Sequence, residues 1–145
     1  MTTEAPARVE VGLVAHRELI DWSAAAYPNE ACGLLIGSID GTGLRVRQAV
    51  ATANRHPDRH TDRYLIGVED FMDARRRADQ MGQALVGAWH SHPNRPAEPS
   101  AEDLRHAWPE WLYVIVATTP DAHDTARAWW LVKDLFREVP LYSGA

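Results

Sequence analysis

Apolar and polar positions along the chain switch between a period near two and a period near 3.6, and the switches divide it into short elements. Residues 9–14 alternate as a first strand. His16 to Tyr27 then repeats at helical spacing, with Leu19, Ile20, Ser23 and Ala26 on one face, until Pro28 stops it. A nearly unbroken apolar run from Cys32 to Ile39 reads as a largely buried strand, and Asp40-Gly41-Thr42-Gly43 as a hairpin turn into a strand from Leu44 to Ala53. A connector rich in Arg and His follows. Val68 to Met81 places Val68, Phe71, Met72, Ala74, Ala78 and Met81 at helical spacing, and Gly82 stands where a C-terminal cap belongs. Ala84 to His92 is a strand, and the three prolines of Pro93 to Pro99 dictate an extended loop. A short helix starts at Ser100, and strands near 111–118, 126–132 and 135–139 complete the order. Helices interspersed among strands and hairpins predict an α/β or α+β fold with a mixed β-sheet flanked by helices. It is a single domain over 9–139 with a flexible N-terminus, 1–8, and a flexible tail, 140–145.

Bulk properties narrow the function classes. A chain of 145 residues, 46% hydrophobic and 24% charged, is long enough for one well-filled core and too apolar for wholesale disorder. Its apolar runs, such as Trp111 to Ala117 and Ala128 to Val132, are far shorter than the ~20 residues of a membrane span. The start, Met-Thr-Thr-Glu-Ala-Pro, has neither the basic nor the apolar part of a signal peptide, so a cytoplasmic location is expected. A net charge of -5 gives no overall attraction for nucleic acid. The run Arg75, Arg76, Arg77 lies in a helical pattern that points its members in different directions, as on a solvated face. The single cysteine, Cys32, has no internal disulfide partner.

Chemistry concentrates in His90-Ser91-His92-Pro93 and the ten residues after it. Positions 90 and 92 of a strand project to the same side, so two imidazoles converge on one point. Zinc in hydrolytic sites takes three N or O ligands and leaves a position for water. Asp103 can be the third, because the Pro-rich loop returns the chain and the first turn of the next helix faces the strand end. Each part has a plainer use as well. His-X-His also occurs as ordinary surface or core histidine, and Ser100-X-X-Asp103 has the form of a capping box that serves only its helix.

Taken together, His90, Ser91, His92, Pro93, then six residues, Ser100, two residues and Asp103 resemble, position by position, the motif of the JAMM metalloproteases of the MPN domain superfamily. That family also has a glutamate at the start of the strand after its first helix, and Glu30 of Asn29-Glu30-Ala31-Cys32-Gly33-Leu34-Leu35 falls there. The resemblance implies an MPN (cytidine-deaminase-like) fold and Zn2+ held by His90, His92 and Asp103. It makes Glu30 the general base and later proton donor, and Ser100 the donor to the tetrahedral oxyanion. Capping and oxyanion donation compete for Ser100, and the resemblance favours the catalytic role.

Other residues fit plainer roles. Cys32 has the position of a soft zinc ligand but the character of a buried small hydrophobe. His56 and His60 lack the helix and glutamate of a His-Glu-X-X-His site and either line a substrate groove or are exposed. Trp89 and Trp129 or Trp130 are core by alternation, while Trp108 and Trp111 flank the site helix and can anchor a partner.

Zinc nucleobase deaminases have a related layout, but they need His-X-Glu together with Pro-Cys-X-X-Cys, and a chain with a single cysteine cannot supply the second. Small bacterial members of the resembled family act on ubiquitin-like sulfur-carrier proteins, removing cysteine or a short extension after a Gly-Gly tail. The resemblance implies the same substrate here, cut at the amide bond after Gly-Gly. An isopeptidase acting on lysine-linked ubiquitin-like conjugates is the alternative, and a non-catalytic MPN scaffold the second.

Overall fold

The structure is a computed structural model that describes residues 4–121 and 125–144. Strand β1, Arg8–Gly12, buries Val9 and Val11, and the chain then turns directly into helix α1, Leu13–Ala26. The helix therefore begins three residues before His16. Leu13 continues the apolar alternation of Val9 and Val11 in sequence, but it and Val14 lie exposed in the first helical turn. Burial on α1 follows the i, i+4, i+8 stripe Ala15, Leu19 and Ser23.

The remaining elements are β2, Cys32–Asp40; β3, Gly43–Thr52; α2, Val68–Gln80; β4, Ala84–Pro93; α3, Ala101–Arg105; β5, Leu112–Thr118; β6, Thr125–Val132; β7, Leu135–Val139; and β8, Leu141–Gly144. All the strands join one mixed sheet in the order β7-β6-β5-β4-β2-β3-β1-β8. β1 runs parallel to β3 and β8, and β4 parallel to β5, while the other neighbours are antiparallel. One mixed sheet with flanking helices is the architecture that the sequence predicts.

Of the tail predicted as loose over 140–145, the described part, 140–144, is ordered, and 145 lies outside the described residues. Leu141–Gly144 is β8, seated on the outer edge of β1, where Val9 N–H donates to Pro140 C=O at 2.8 Å and Arg8 lies 4.7 Å from the centre of the Tyr142 ring. A four-residue strand is too short to show a period, so its pairing comes from the open edge it covers.

Alternation splits the core between two faces. Leu35, Val46, Trp89 and Val114 pack with Val9, Ala15 and Leu19 on the α1 side. Leu34, Ala88 and Tyr113 pack with Ala74 and Phe71 on the α2 side. On α2 the buried stripe is narrower than the sequence suggests, because Val68, Met72 and Met81 are exposed. Arg75, Arg76 and Arg77 are exposed too, as a solvated face requires. Gly82, just beyond the helix, has φ +67°, a conformation that costs glycine nothing.

Trp89 fixes β4 against α1. Its ring is fully buried, stacks on Trp22 at 5.8 Å, and donates from Nε1 to Val50 C=O at 3.0 Å. That approach needs Gly33, where a Cβ would sit 1.8 Å from the Val50 oxygen and 2.5 Å from Trp89 Nε1. One further device sets the site. Gly87 pairs with Leu35 and Leu85 with Ile36, so Val86 is an extra residue in β4. This bulge shifts the alternation by one position, burying both Val86 and Trp89 on the α1 side and leaving Ala88 on the α2 side. His90 and His92 continue the phase of Ala88.

Candidate active site

The two histidines stand at the end of β4, with His90 opposite Cys32 of β2 and Ile115 of β5. Both side chains are buried. The loop after them is held from three sides: Tyr27 O–H donates to Asn94 Oδ1 at 2.9 Å, Asn94 N–H to Thr118 C=O at 2.7 Å, and Trp129 Nε1–H to Ala97 C=O at 3.0 Å. These anchors return the chain so that α3 starts beside the strand end. Asp103 then lies with Oδ1 3.2 Å from His90 Nε2 and Oδ2 3.1 Å from His92 Nε2, and the two Nε2 atoms are 3.0 Å apart. One ligand atom from each of the three residues falls within 4.8 Å of the others.

The donor set fits a metal ion. His92 Nδ1 lies 2.9 Å from the Pro96 carbonyl, which can only accept, so the proton of the neutral ring belongs on Nδ1 and Nε2 is bare. A bare nitrogen 3.1 Å from a carboxylate oxygen is a repulsive pair that a cation between them stabilises. Charge states agree. Burial lowers the His90 pKa below its ordinary value, outweighing the nearby Asp103 charge, and keeps the ring neutral as ligation demands. Burial alone would raise the Asp103 carboxyl; positive charge at His90 and protons on the facing imidazole nitrogens would lower it, as does the Ser100 backbone N–H, so the carboxylate form depends on positive charge held in the cluster.

Ser100 occupies the N-cap of α3 in a complete capping box. Asp103 N–H donates to Ser100 Oγ at 3.0 Å, and Ser100 N–H donates to Asp103 Oδ2 at 2.8 Å. The capping role is therefore real. It uses an Oγ lone pair, and the hydroxyl proton remains for a second partner, so capping and oxyanion donation do not compete.

Glu30 comes from the turn before β2 and is 3% exposed. Its backbone is fixed by Glu30 N–H donating to His60 C=O at 2.7 Å. The next residue is fixed by Ala31 N–H donating to Ser91 Oγ at 2.8 Å and Ser91 N–H to Ala31 C=O at 3.0 Å. The middle residue of His90-Ser91-His92 thus ties the glutamate segment to the strand that carries both histidines. Burial pushes the Glu30 carboxyl up to about 8. Arg95 donates to its Oε2 at 2.5 Å and opposes the rise. With a third of its side chain in water, the guanidinium offsets the desolvation only in part, and Asp103 adds to the rise.

The connector before α2 folds over the site around Asn54. Its Nδ2 donates to the carbonyls of Glu30 and Arg63 at 3.3 and 2.9 Å, and its Oδ1 accepts from the N–H groups of His56 and Leu65, both at 3.1 Å. Tyr64, so placed, stacks on the His90 ring at 4.4 Å. His56 lines the cavity beside Glu30, while His60 contributes its carbonyl to Glu30. Cys32 is a buried thiol whose pKa burial pushes up to about 11, and it stands outside the ligand cluster found among the described residues. Trp89 and Trp130 are core; Trp108, 53% exposed, and Trp111 border the cavity. Sequence reasoning missed Arg95, Asn54, Ser91 and Tyr64 as site residues. Only Ser91 carries a signal, its place between the two histidines.

A mixed sheet whose His-X-His strand end meets a capped Ser-X-X-Asp helix defines a domain of the MPN class. Residues 13–132 match the family described as prokaryotic homologs of the JAB domain, and the chain belongs to that family. Among curated relatives, a Desampylase of Haloferax volcanii is 32% identical over 118 residues, spanning 81% of this chain and 80% of its own length. A Probable TtuB-protein conjugate cleaving protease of Thermus thermophilus is 32% identical over 91 residues, or 63% of this chain and 57% of the relative. Among solved structures, a Desulfitobacterium hafniense protein superposes with a TM-score of 0.83 at 28% identity, covering 94% of this chain and 92% of that one. A JAB1/MPN domain protein from Archaeoglobus fulgidus shares the fold, with a TM-score of 0.56 at 19% identity over 92% and 98% of the two chains. The named relatives are proteases or conjugate-cleaving enzymes, and no described helix is long and apolar enough to cross a membrane.

Proposed function

We propose that the chain is a zinc-dependent hydrolase that cuts the amide bond after the C-terminal Gly-Gly of a ubiquitin-like protein. The observation that carries this reading is the convergence of His90, His92 and Asp103 on one point beside the buried carboxyl of Glu30. These three residues would hold Zn2+, which when bound supplies Lewis acidity and lowers the pKa of coordinated water. Arg95 engages Glu30 through Oε2 and so orients the carboxylate. In its ionised form Glu30 takes the proton of the attacking water and returns it to the leaving amine. Ser100 presents its free hydroxyl proton to the developing oxyanion while its oxygen keeps the cap of α3. Glycines before the cut suit a site in which the substrate backbone must approach buried ligands closely.

The substrate drawn from the sequence is a sulfur-carrier protein from which cysteine or a short extension is trimmed. The relative named for cleaving TtuB-protein conjugates supports protein conjugates, the lysine-linked alternative above, as a second substrate form. A scaffold role has less support, since every ligand is present and oriented. The test is mass spectrometry of Gly-Gly-ended carriers, either extended by cysteine or joined to a lysine, incubated with zinc-loaded protein with and without chelator. Cleavage after the second glycine that chelator abolishes is the expected result. A zinc-loaded protein that cuts neither form would overturn the reading in favour of the scaffold.

A further inference from the structure

The two histidine rings of the cluster are held in different ways. His92 donates from Nδ1 to the Pro96 carbonyl at 2.9 Å, and that bond fixes the turn of its ring. His90 is buried too, yet its Nδ1 has no hydrogen-bond partner among the described residues. When Nε2 faces a cation, the proton of the neutral ring sits on Nδ1, where no protein acceptor meets it. Ligand histidines are ordinarily oriented through that second nitrogen, so at His90 the orientation has to come from packing. The Tyr64 ring lies on the imidazole face, with centroids 4.4 Å apart and planes 23° from parallel. The other ring against it, His92, meets it by an edge at 4.8 Å and belongs to the cluster itself. Tyr64 stands outside every helix and strand, so its place needs a brace of its own. Asn54 braces it from both sides: Nδ2 donates to the carbonyl of Arg63 at 2.9 Å, and Oδ1 accepts from the N–H of Leu65 at 3.1 Å. One side-chain amide thus spans the tyrosine as a neighbouring strand would, and Arg55 N–H adds a bond to Leu65 C=O at 2.8 Å.

We propose that Tyr64 is the positioning residue of His90, holding the ligand ring by face contact in place of a hydrogen bond, and that Asn54 acts through Tyr64. The inference rests on the ligand set of the hydrolase reading and adds two residues outside that set. Stacking uses the face of the tyrosine ring and makes no demand on its hydroxyl. A flat face at contact distance restricts rotation of the imidazole, and so keeps Nε2 aimed at the point shared with His92 and Asp103. A branched aliphatic side chain fills similar space but leaves the imidazole a wider arc, and binding the ion must then also order the ring.

Metal binding to the full chain tests this without reference to turnover. In competition with a chromophoric chelator, Tyr64→Leu should raise the zinc dissociation constant on the order of tenfold, Tyr64→Phe should stay near wild type, and Asn54→Ala should match Tyr64→Leu. The double variant should bind no worse than either single one, because the two residues act in series. With Co2+ in place of zinc, the visible ligand-field bands should change in Tyr64→Leu and persist in Tyr64→Phe. Should loss of the ring prevent folding, the wild type still decides: nuclear Overhauser contacts between the rings of Tyr64 and His90 should be present in the zinc-loaded protein, and their absence would overturn the proposal. A lower melting temperature of Tyr64→Leu in chelator, with zinc affinity and cobalt bands unchanged, would also overturn it, since the tyrosine would then serve the fold alone. A wild type that takes up no metal would instead remove the ligand set, and this inference with it.

Discussion

Replacing Glu30 by glutamine should flatten the pH dependence of stability in metal-free protein. The carboxyl titrates near 4.5 when solvated and at about 8 in the fold, with burial the dominant cause. Between those values the folded state holds a proton that the unfolded chain has lost. Stability therefore falls as pH rises, by up to ~1.4 kcal/mol per pH unit, is fully present below 4.5 and levels off above about 8. From pH 5 to 8 the wild type should lose about 4 kcal/mol relative to Glu30→Gln, a large part of a typical domain's stability. His90 acts with the opposite sign. Its lowered pKa makes stability rise with pH up to its ordinary 6.5, but it is present in both proteins and cancels in the difference. Urea denaturation of the two proteins in chelator at several pH values measures the gap. A gap that stays constant would mean that Glu30 is ionised throughout in the fold, with the Arg95 pair outweighing desolvation, and the account of the site's electrostatics would fail.

Asp103→Ala and His92→Ala should each lose bound zinc, and full occupancy in either by elemental analysis would remove the ligand set. Ser100→Ala should show both of its roles, a loss of about 1 kcal/mol in denaturant melts as a missing cap and a fall in turnover on the order of a hundredfold. If only stability changes, the hydroxyl is a cap alone. Gly33→Ala should cost several kcal/mol or abolish folding, since the new methyl overlaps Val50 C=O and Trp89 Nε1. A near-native melting temperature would mean that β3 can move aside.

What the sequence reveals of this molecule is what is local. His90, His92, Ser100 and Asp103 lie within one short stretch, so their spacing exposes the candidate ligands and the capping serine together, and the alternation of β2 exposes both faces of the core. The relation of those parts in space is not local. The unpaired Val86 decides to which face the histidines point, yet nothing around it departs from an ordinary strand pattern. Arg95 meets Glu30 across 65 positions of sequence, and Asn54 ties the connector to Glu30 across 24, so no window of a single chain holds either pair. The strand at 141–144 is hidden because its pairing is made by backbone groups, which every sequence has.

The double use of Asp103 has a thermodynamic consequence. A helix of five residues does not persist by itself, and α3 is closed by the same carboxylate that faces the histidines. Occupancy of the ligand cluster and order in α3 are then two sides of one equilibrium, and whatever frees the cluster also loosens the helix. Measured affinity for a metal will include the work of winding this turn. A change in α3 that touches no ligand can weaken affinity as surely as the loss of a histidine does, and the dissociation constant of this site is in part a helix-folding constant.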